Sequence, residues 1–145
     1  MDIKGSAAGE AATAYGSLAK LVVSYRRAPR KRIPVTLGPT ASAKALFAVR
    51  PHFFPPWDEM IRKELGLDGS ATSYASYLAF VSQELRDLVQ NAKSLGFQPA
   101  EIPALVGRPG QSFPKLIDEY LWVKSFGHKP LNTSEVARLY LWSRN

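Results

Sequence analysis

The segment from Ser42 to Leu65 holds the residues whose types and spacing are best suited to chemistry. Within it, Asp58 follows two prolines and Trp57 and stands where a helical pattern begins. Unpaired backbone N–H groups at a helix start favour the ionised form of a carboxylate. An ionised carboxylate can stabilise the positive charge that a sugar develops as its bond to a base breaks. The pattern makes Asp58 a candidate catalytic carboxylate for removing a base from DNA.

Aromatic side chains near Asp58 could receive an extruded nucleotide, which base removal requires. The candidates for such a base pocket are His52, Phe53, Phe54 and Trp57. A second interpretation fits the same residues. In it Asp58 only caps its helix, because aspartate is a preferred capping residue, while Trp57 packs in the core and His52 in a loop. The sequence leaves both interpretations open.

Basic residues are concentrated in the front third of the chain. Residues 1–52 contain nine Lys or Arg against Asp2 and Glu10, whereas residues 53–145 contain ten residues of each sign. Six of the basic residues follow one another with no acid between them. They are Lys20, Arg26, Arg27, Arg30, Lys31 and Arg32. Such a cluster can neutralise phosphates and release counterions, which favours nucleic acid over an acidic protein or a lipid surface. A solvated basic loop is the alternative.

Further cations are candidates for phosphate binding, and each has an alternative role. They are Lys44, Arg50, Arg108 and Lys115. Arg50 could instead pair with Asp58 or Glu59. Lys44 lies in an apolar helical run, where its stem can follow the surface while its ammonium stays in water. Arg108 and Lys115 flank a turn before a helix start, where backbone N–H groups can hold a phosphate. Alternatively, Asp118 and Glu119 could pair with Lys115 or with Arg residues across the fold.

Composition limits the classes of site and location. The 145 residues include no cysteine, which excludes disulfides, thiolate metal ligands and a cysteine nucleophile. Two histidines without ligand spacing predict no metal site, and no motif predicts a cofactor. No stretch approaches the ~20 apolar residues of a membrane span, and no signal peptide is apparent. We therefore expect a cytoplasmic protein that makes no use of a membrane.

Apolar residues at helical spacing predict six or seven helices joined by turns that proline and glycine mark, and no segment shows strand alternation. The predicted helices span residues 8–27, 40–49, 57–65, 73–96, 100–106 and 112–127, with a last helix starting near Asn132. Residues 30–38 connect the first two, with a short extended piece at 33–37. We expect Ser73 and Ser112 to cap their helices. The sequence predicts a single all-α domain, residues 1–145, built as a compact bundle, with residues 1–7 as a flexible terminus or a remnant of cloning.

Residues 38–65 distantly resemble the helix-hairpin-helix DNA glycosylase superfamily. The order that carries the resemblance is Gly38, then the small residues Ala41, Ser42 and Ala43, then Asp58, Ile61 and Lys63. The resemblance implies a helix-hairpin-helix glycosylase-like fold, binding to double-stranded DNA, and Asp58 as the catalytic carboxylate of a monofunctional glycosylase. It implies no lyase lysine, since Lys44 is too close to Asp58 in sequence. Residues 42–62 and 114–124 also resemble uncharacterised bacterial proteins of similar size.

The sequence thus favours a DNA-interacting helical domain related to base-excision DNA glycosylases, in which the basic front third binds the phosphates of the DNA backbone. Two alternatives remain open. One is a helical module that binds nucleic acid or protein without catalysis. The other is a helical adaptor whose basic arm binds an acidic protein. The sequence does not decide whether the chain is an enzyme.

Overall fold

The computed structural model describes residues 5–125, with side chains from residue 7 onward. In chain order the elements are α1 (Gly5–Lys20), β1 (Val22–Ala28), β2 (Lys31–Thr36), α2 (Gly38–Val49), α3 (Glu59–Glu64), α4 (Ala71–Ser94), a 3₁₀ turn (Pro99–Glu101), α5 (Ile102–Leu105) and α6 (Phe113–Ser125). The helix expected near Asn132 and the last residues of the helix expected to reach position 127 lie outside the described residues.

The predicted all-α class, and with it the purely helical glycosylase-like bundle, is wrong. The structure is 64% helical but also contains a two-stranded antiparallel sheet, which makes it a mixed α/β fold. The helix expected over residues 8–27 ends at Lys20, and β1 begins at Val22. Consecutive β-branched residues favour a strand there. Pro29, expected to follow a helix end, instead stands in the two-residue turn between the strands.

The hairpin of Val22–Thr36, here called the basic ribbon, stands away from the helical body. Every residue in it is exposed except Ala28 and Ile33, which are half-buried. At its base, the Leu37 backbone N–H donates to the Leu21 carbonyl at 2.8 Å and closes the hairpin where it leaves the body. Both faces of the ribbon are therefore open to solvent over most of its length.

An aromatic cluster forms the centre of the core, between α1, α4 and the segment before α3. Trp57 stacks on Tyr77 with ring centroids 5.3 Å apart, and Tyr15 stacks on Tyr74 at 4.1 Å. The Tyr77 hydroxyl donates to the Pro56 carbonyl at 2.8 Å, which fixes the chain just before Asp58. Burial raises the pKa of Tyr15 to about 12. The core thus holds the entry to α3 in place.

The cap of α4 differs from the predicted one. Ser70, not Ser73, is the N-cap residue, and its hydroxyl oxygen accepts from the Ser73 backbone N–H at 3.1 Å. Hydrogen bonds of Ser70 and Ser73 lower the pKa of Asp68, just before the cap, to about 2. The expected side-chain cap at Ser112 is also wrong within the described residues, since its buried hydroxyl has no hydrogen-bond partner there. Its carbonyl accepts from Lys115 and Leu116 instead.

A helix can cross a lipid bilayer only if it is long and predominantly apolar. Over residues 5–125, none of the helices is both long enough and apolar enough to cross a bilayer.

Candidate functional site

Asp58 is the N-cap residue of α3. Its Oδ1 accepts a hydrogen bond from the Ile61 backbone N–H at 2.9 Å, and its own backbone is extended. This contact satisfies one of the N–H groups that a helix start leaves unpaired. The capping interpretation therefore accounts for one of the two carboxylate oxygens of Asp58.

A cleft of about 630 Å³ adjoins Asp58. One wall comes from α2, through Lys44 and Phe47, and the opposite wall from α6, through Trp122 and neighbouring residues. Three cations and three carboxylates line it: Lys44, Arg108, Lys115, Asp58, Asp118 and Glu119. The cleft is open to solvent and balanced in formal charge.

Two of the three cleft cations are neutralised by α6. Arg108 Nε lies 2.9 Å from Glu119 Oε2, and Lys115 Nζ pairs with Asp118 and, at 3.8 Å, with Glu119. Burial raises the pKa of Asp118, although its hydrogen bond with Lys115 opposes the rise. These pairs leave Lys44 as the cleft cation without an ion pair among the described residues. Such a surface attracts a polyanion weakly.

The four base-pocket candidates do not gather around Asp58. Trp57 borders the cleft but is completely buried in the core, with the Arg62 guanidinium 5.4 Å from its ring centroid. Phe54 packs against the same core. The ring of Phe53 contacts the ring of Phe54 edge to face, with centroids 5.1 Å apart. His52 is exposed and lines a separate cleft beside α4. No open aromatic pocket is formed at Asp58 by these side chains.

The remaining phosphate candidates outside the ribbon are scattered. Lys20 is exposed at the end of α1, Lys44 is exposed on α2, and Arg50 is exposed at the end of α2. Arg50 forms no ion pair with either alternative partner: Asp58 caps α3, and Glu59 pairs with Lys63 at 2.7 Å. Lys44 shares the cleft with Arg108 and Lys115, which are paired with carboxylates there, whereas Lys20 and Arg50 are not among the residues that line it.

The ribbon, in contrast, gathers five cations at its outer end. They are Arg26, Arg27, Arg30, Lys31 and Arg32. All five are exposed, and none forms an ion pair with a residue in the range 5–125. Arg27 is the direct cross-strand partner of Arg32, and both line a shallow depression at the tip together with Lys31. Like charges directly opposite each other destabilise a strand pair.

Sequence reasoning identified the five cations but missed the hairpin that groups them. The available signal was the pair of β-branched stretches, Val22-Val23 and Ile33-Pro34-Val35-Thr36, on either side of a proline. It also missed Arg62, whose guanidinium lies over Trp57 and donates to Thr40 Oγ1 at 3.1 Å. The sequence did indicate that Asp118 could pair with Lys115, but not that Asp118 lines the cleft beside Asp58.

Replacement of Asp58 by alanine should lower the free energy of unfolding by about 1 kcal/mol, because the cap of α3 is lost. Asp58→Asn should cost only a few tenths of a kcal/mol, since an asparagine side-chain oxygen accepts the same bond. Urea denaturation followed by circular dichroism measures both. A loss with Asn as large as with Ala would show that the negative charge, and not the capping bond, is what stabilises the fold.

Comparison with known proteins gives no relative on which an assignment could rest. No family model, no curated protein and no solved structure matches the chain. Within the part of the chain that the structure describes, no three His, Cys, Asp or Glu side chains come together as metal ligands. The ribbon and the cleft are therefore the features of the molecule that bear on its function.

Proposed function

We propose that this protein is a DNA-interacting domain that binds backbone phosphates through the basic ribbon. The observation that carries the proposal is the cross-strand pair of Arg27 and Arg32 at an exposed tip. Their mutual repulsion disfavours the hairpin in the absence of an anion. A phosphate group between or beside them would convert this repulsion into two charge-assisted hydrogen bonds.

The distribution of charge supports the ribbon over the Asp58 cleft as the binding surface. Five ribbon cations without counter-ions among the described residues can each neutralise a phosphate. The cleft has as many carboxylates as cations and pairs Arg108 and Lys115 internally. We favour nucleic acid over an acidic protein as the partner of the ribbon. Its phosphates recur at regular intervals along a rigid molecule and can contact adjacent cations together. A cytoplasmic location, which the lack of cysteine permits, belongs to the same proposal.

Base excision by Asp58 is a second candidate, favoured by one observation. Asp58 borders a cleft of about 630 Å³, and its capping bond uses only Oδ1. The other oxygen could then stabilise an oxocarbenium-like sugar. The Asp58→Asn variant, which keeps the cap, tests this role on duplexes that contain damaged bases. Base release by the unmodified protein that disappears in the variant would support catalysis, whereas equal release, or none from either protein, would remove it.

Binding to duplex DNA should weaken steeply with salt. If each of the five ribbon cations neutralises one phosphate, log K should fall against log salt with a slope of about −4.5. Arg27→Gln with Arg32→Gln should flatten the slope to about −2.7 and weaken binding about 30-fold near 0.15 M salt, because each contact is worth about fivefold there. Fluorescence anisotropy with a labelled duplex measures both quantities.

A charge-matched control separates the ribbon from net charge. Lys63→Gln with Lys93→Gln removes the same two charges from exposed positions outside the ribbon. We expect this pair to leave the slope unchanged. Equal losses from the two double variants, or a flat salt response of the unmodified protein, would contradict the proposal. Stronger binding to polyglutamate than to the duplex would favour the acidic-protein alternative.

A further inference from the structure

The strand register places the ribbon cations on both of its faces. Arg27 and Arg32 are cross-strand partners and so share one face. Arg26 precedes Arg27, and Lys31 precedes Arg32, so that these two lie on the opposite face because side chains alternate along a strand. Arg30 stands in the turn between the strands. The outer end of the ribbon is therefore basic on two sides and at its tip.

This two-sided distribution distinguishes between modes of DNA contact. A ribbon that lay flat along one phosphate backbone would bring only one face within reach of phosphates, and the cations on the other face would stay in water. A ribbon inserted between two backbones meets phosphates on both sides. We infer, on the basis of the proposed function, that the tip enters the major groove of B-form DNA, with Arg27 and Arg32 towards one phosphate backbone and Arg26 and Lys31 towards the other.

The thickness of the ribbon selects the major groove. A β-layer with its side chains occupies about 10 Å, which is the spacing of stacked sheets. The major groove of B-form DNA is about 12 Å wide, whereas the minor groove is about 6 Å wide. The major groove of double-stranded RNA is deep and narrow. The ribbon thus fits B-form DNA without widening a groove, and it fits neither the minor groove nor an RNA duplex.

The length of the basic part also matches the groove. Cations occupy only the outer end, from Arg26 to Arg32, where each strand contributes about three residues and so about 10 Å of reach. The major groove is about 8.5 Å deep. Beyond this reach the ribbon carries Val23, Tyr25 and Val35, which are exposed and uncharged. The change from charged to apolar side chains thus falls near the mouth of the groove.

Two double variants of equal charge test insertion against one-sided contact. Arg27→Gln with Arg32→Gln removes cations from one face, and Arg26→Gln with Lys31→Gln removes them from the other. Insertion predicts that each pair weakens duplex binding about 30-fold near 0.15 M salt. A loss below about threefold for one pair, with a large loss for the other, would overturn the inference while the proposed function stands. Circular dichroism and urea denaturation confirm that each variant folds.

Chemical protection of the bases identifies the groove. Dimethyl sulfate methylates guanine N7 in the major groove and adenine N3 in the minor groove. We expect the bound protein to protect guanine N7, and to bind a DNA duplex at least tenfold more tightly than an RNA duplex of the same sequence. Protection of adenine N3, protection of neither atom, or equal affinity for the two duplexes would overturn groove insertion. Failure to bind any duplex would instead overturn the proposed function itself.

Discussion

Replacement of Trp57 by alanine is expected to lower the free energy of unfolding by about 3–5 kcal/mol, the usual cost of emptying a large aromatic site in a core. Trp57 is completely buried and stacks on Tyr77, with Tyr15 and Tyr74 also in contact. Residues of α1, α3 and α4 surround this ring, so that little of the cavity can be refilled. Urea denaturation followed by circular dichroism gives the loss, with a predicted shift of the midpoint and an unchanged slope.

A matched variant at the same position separates ring volume from polar contacts. Trp57→Phe retains an aromatic ring and removes Nε1, a buried donor that has no hydrogen-bond partner in the described part of the chain. Loss of an unsatisfied donor partly offsets the smaller ring volume. We expect the phenylalanine variant to lose less than half of what alanine loses. A cost of Trp57→Ala below about 1 kcal/mol, the mean for any substitution, would contradict the placement of Trp57 in the core.

Neutralisation of all five ribbon cations should abolish DNA binding without unfolding the protein. Replacement of Arg26, Arg27, Arg30, Lys31 and Arg32 by glutamine would remove the five proposed phosphate contacts, worth about 5,000-fold together near 0.15 M salt. The free energy of unfolding should fall by less than about 0.5 kcal/mol, because these side chains are exposed and contribute nothing to the core. Loss of the repulsion between Arg27 and Arg32 should favour the hairpin. Anisotropy with a labelled duplex and urea denaturation measure the two effects.

The control for this variant removes five cations from the helical body, where all are exposed. They are Lys44, Lys63, Arg86, Lys93 and Lys124. Both variants lower the net charge by five, and the control also removes the cation of the Asp58 cleft that has no ion pair among the described residues. We expect the control to keep most of the affinity. A larger loss in the control than in the ribbon variant would move the binding surface to the helical body.

The helices could be predicted where burial dictates their pattern. Seven apolar residues between positions 74 and 89 recur at helical spacing and indicate one stripe of a long helix. Five of them are buried on α4, namely Tyr74, Tyr77, Leu78, Val81 and Leu85, whereas Leu88 and Val89 are half-buried. The stripe is visible in the sequence because one face must leave water. The predicted start of this helix, at Ser73, lies after the observed cap at Ser70. Both serines are acceptable caps, and only the hydrogen bond between them identifies Ser70 as the cap.

The ribbon could not be predicted by the same logic. Leu21, Val22 and Tyr25 occur at helical spacing after Leu18, but they are 52%, 43% and 62% exposed. Helical spacing of apolar residues indicates a helix only when one face of that helix is buried. No part of the core packs against these residues. The β-branched residues of the two strands were the better guide. A hairpin without a buried face produces no alternation of polar and apolar residues, which removes the usual signal of a strand.

At the candidate site, too, contacts between residues close in sequence could be anticipated, whereas contacts that depend on the packing of distant segments could not. The capping role of Asp58 was one of two open interpretations, and its bond to Ile61 depends on neighbouring residues only. The ion pair of Arg108 with Glu119 depends on how the turn before α6 packs against that helix, whereas Lys115 pairs with Asp118 and Glu119 one turn further along the same helix. The sequence left both phosphate binding and pairing with Asp118 or Glu119 open for these two cations, and the structure shows the ion pairs. The five ribbon cations lack such partners among the described residues, which is why the proposal rests on them.

The position of the DNA contact is best tested by backbone amide chemical shifts during titration with a short duplex. The account predicts the largest shifts in residues 26–32, with smaller shifts along the rest of the basic ribbon. Residues of the cleft beside Asp58 and Lys44 should shift little. If the largest chemical-shift changes occurred in that cleft while the shifts of the ribbon residues stayed the same, the proposed DNA contact would be contradicted.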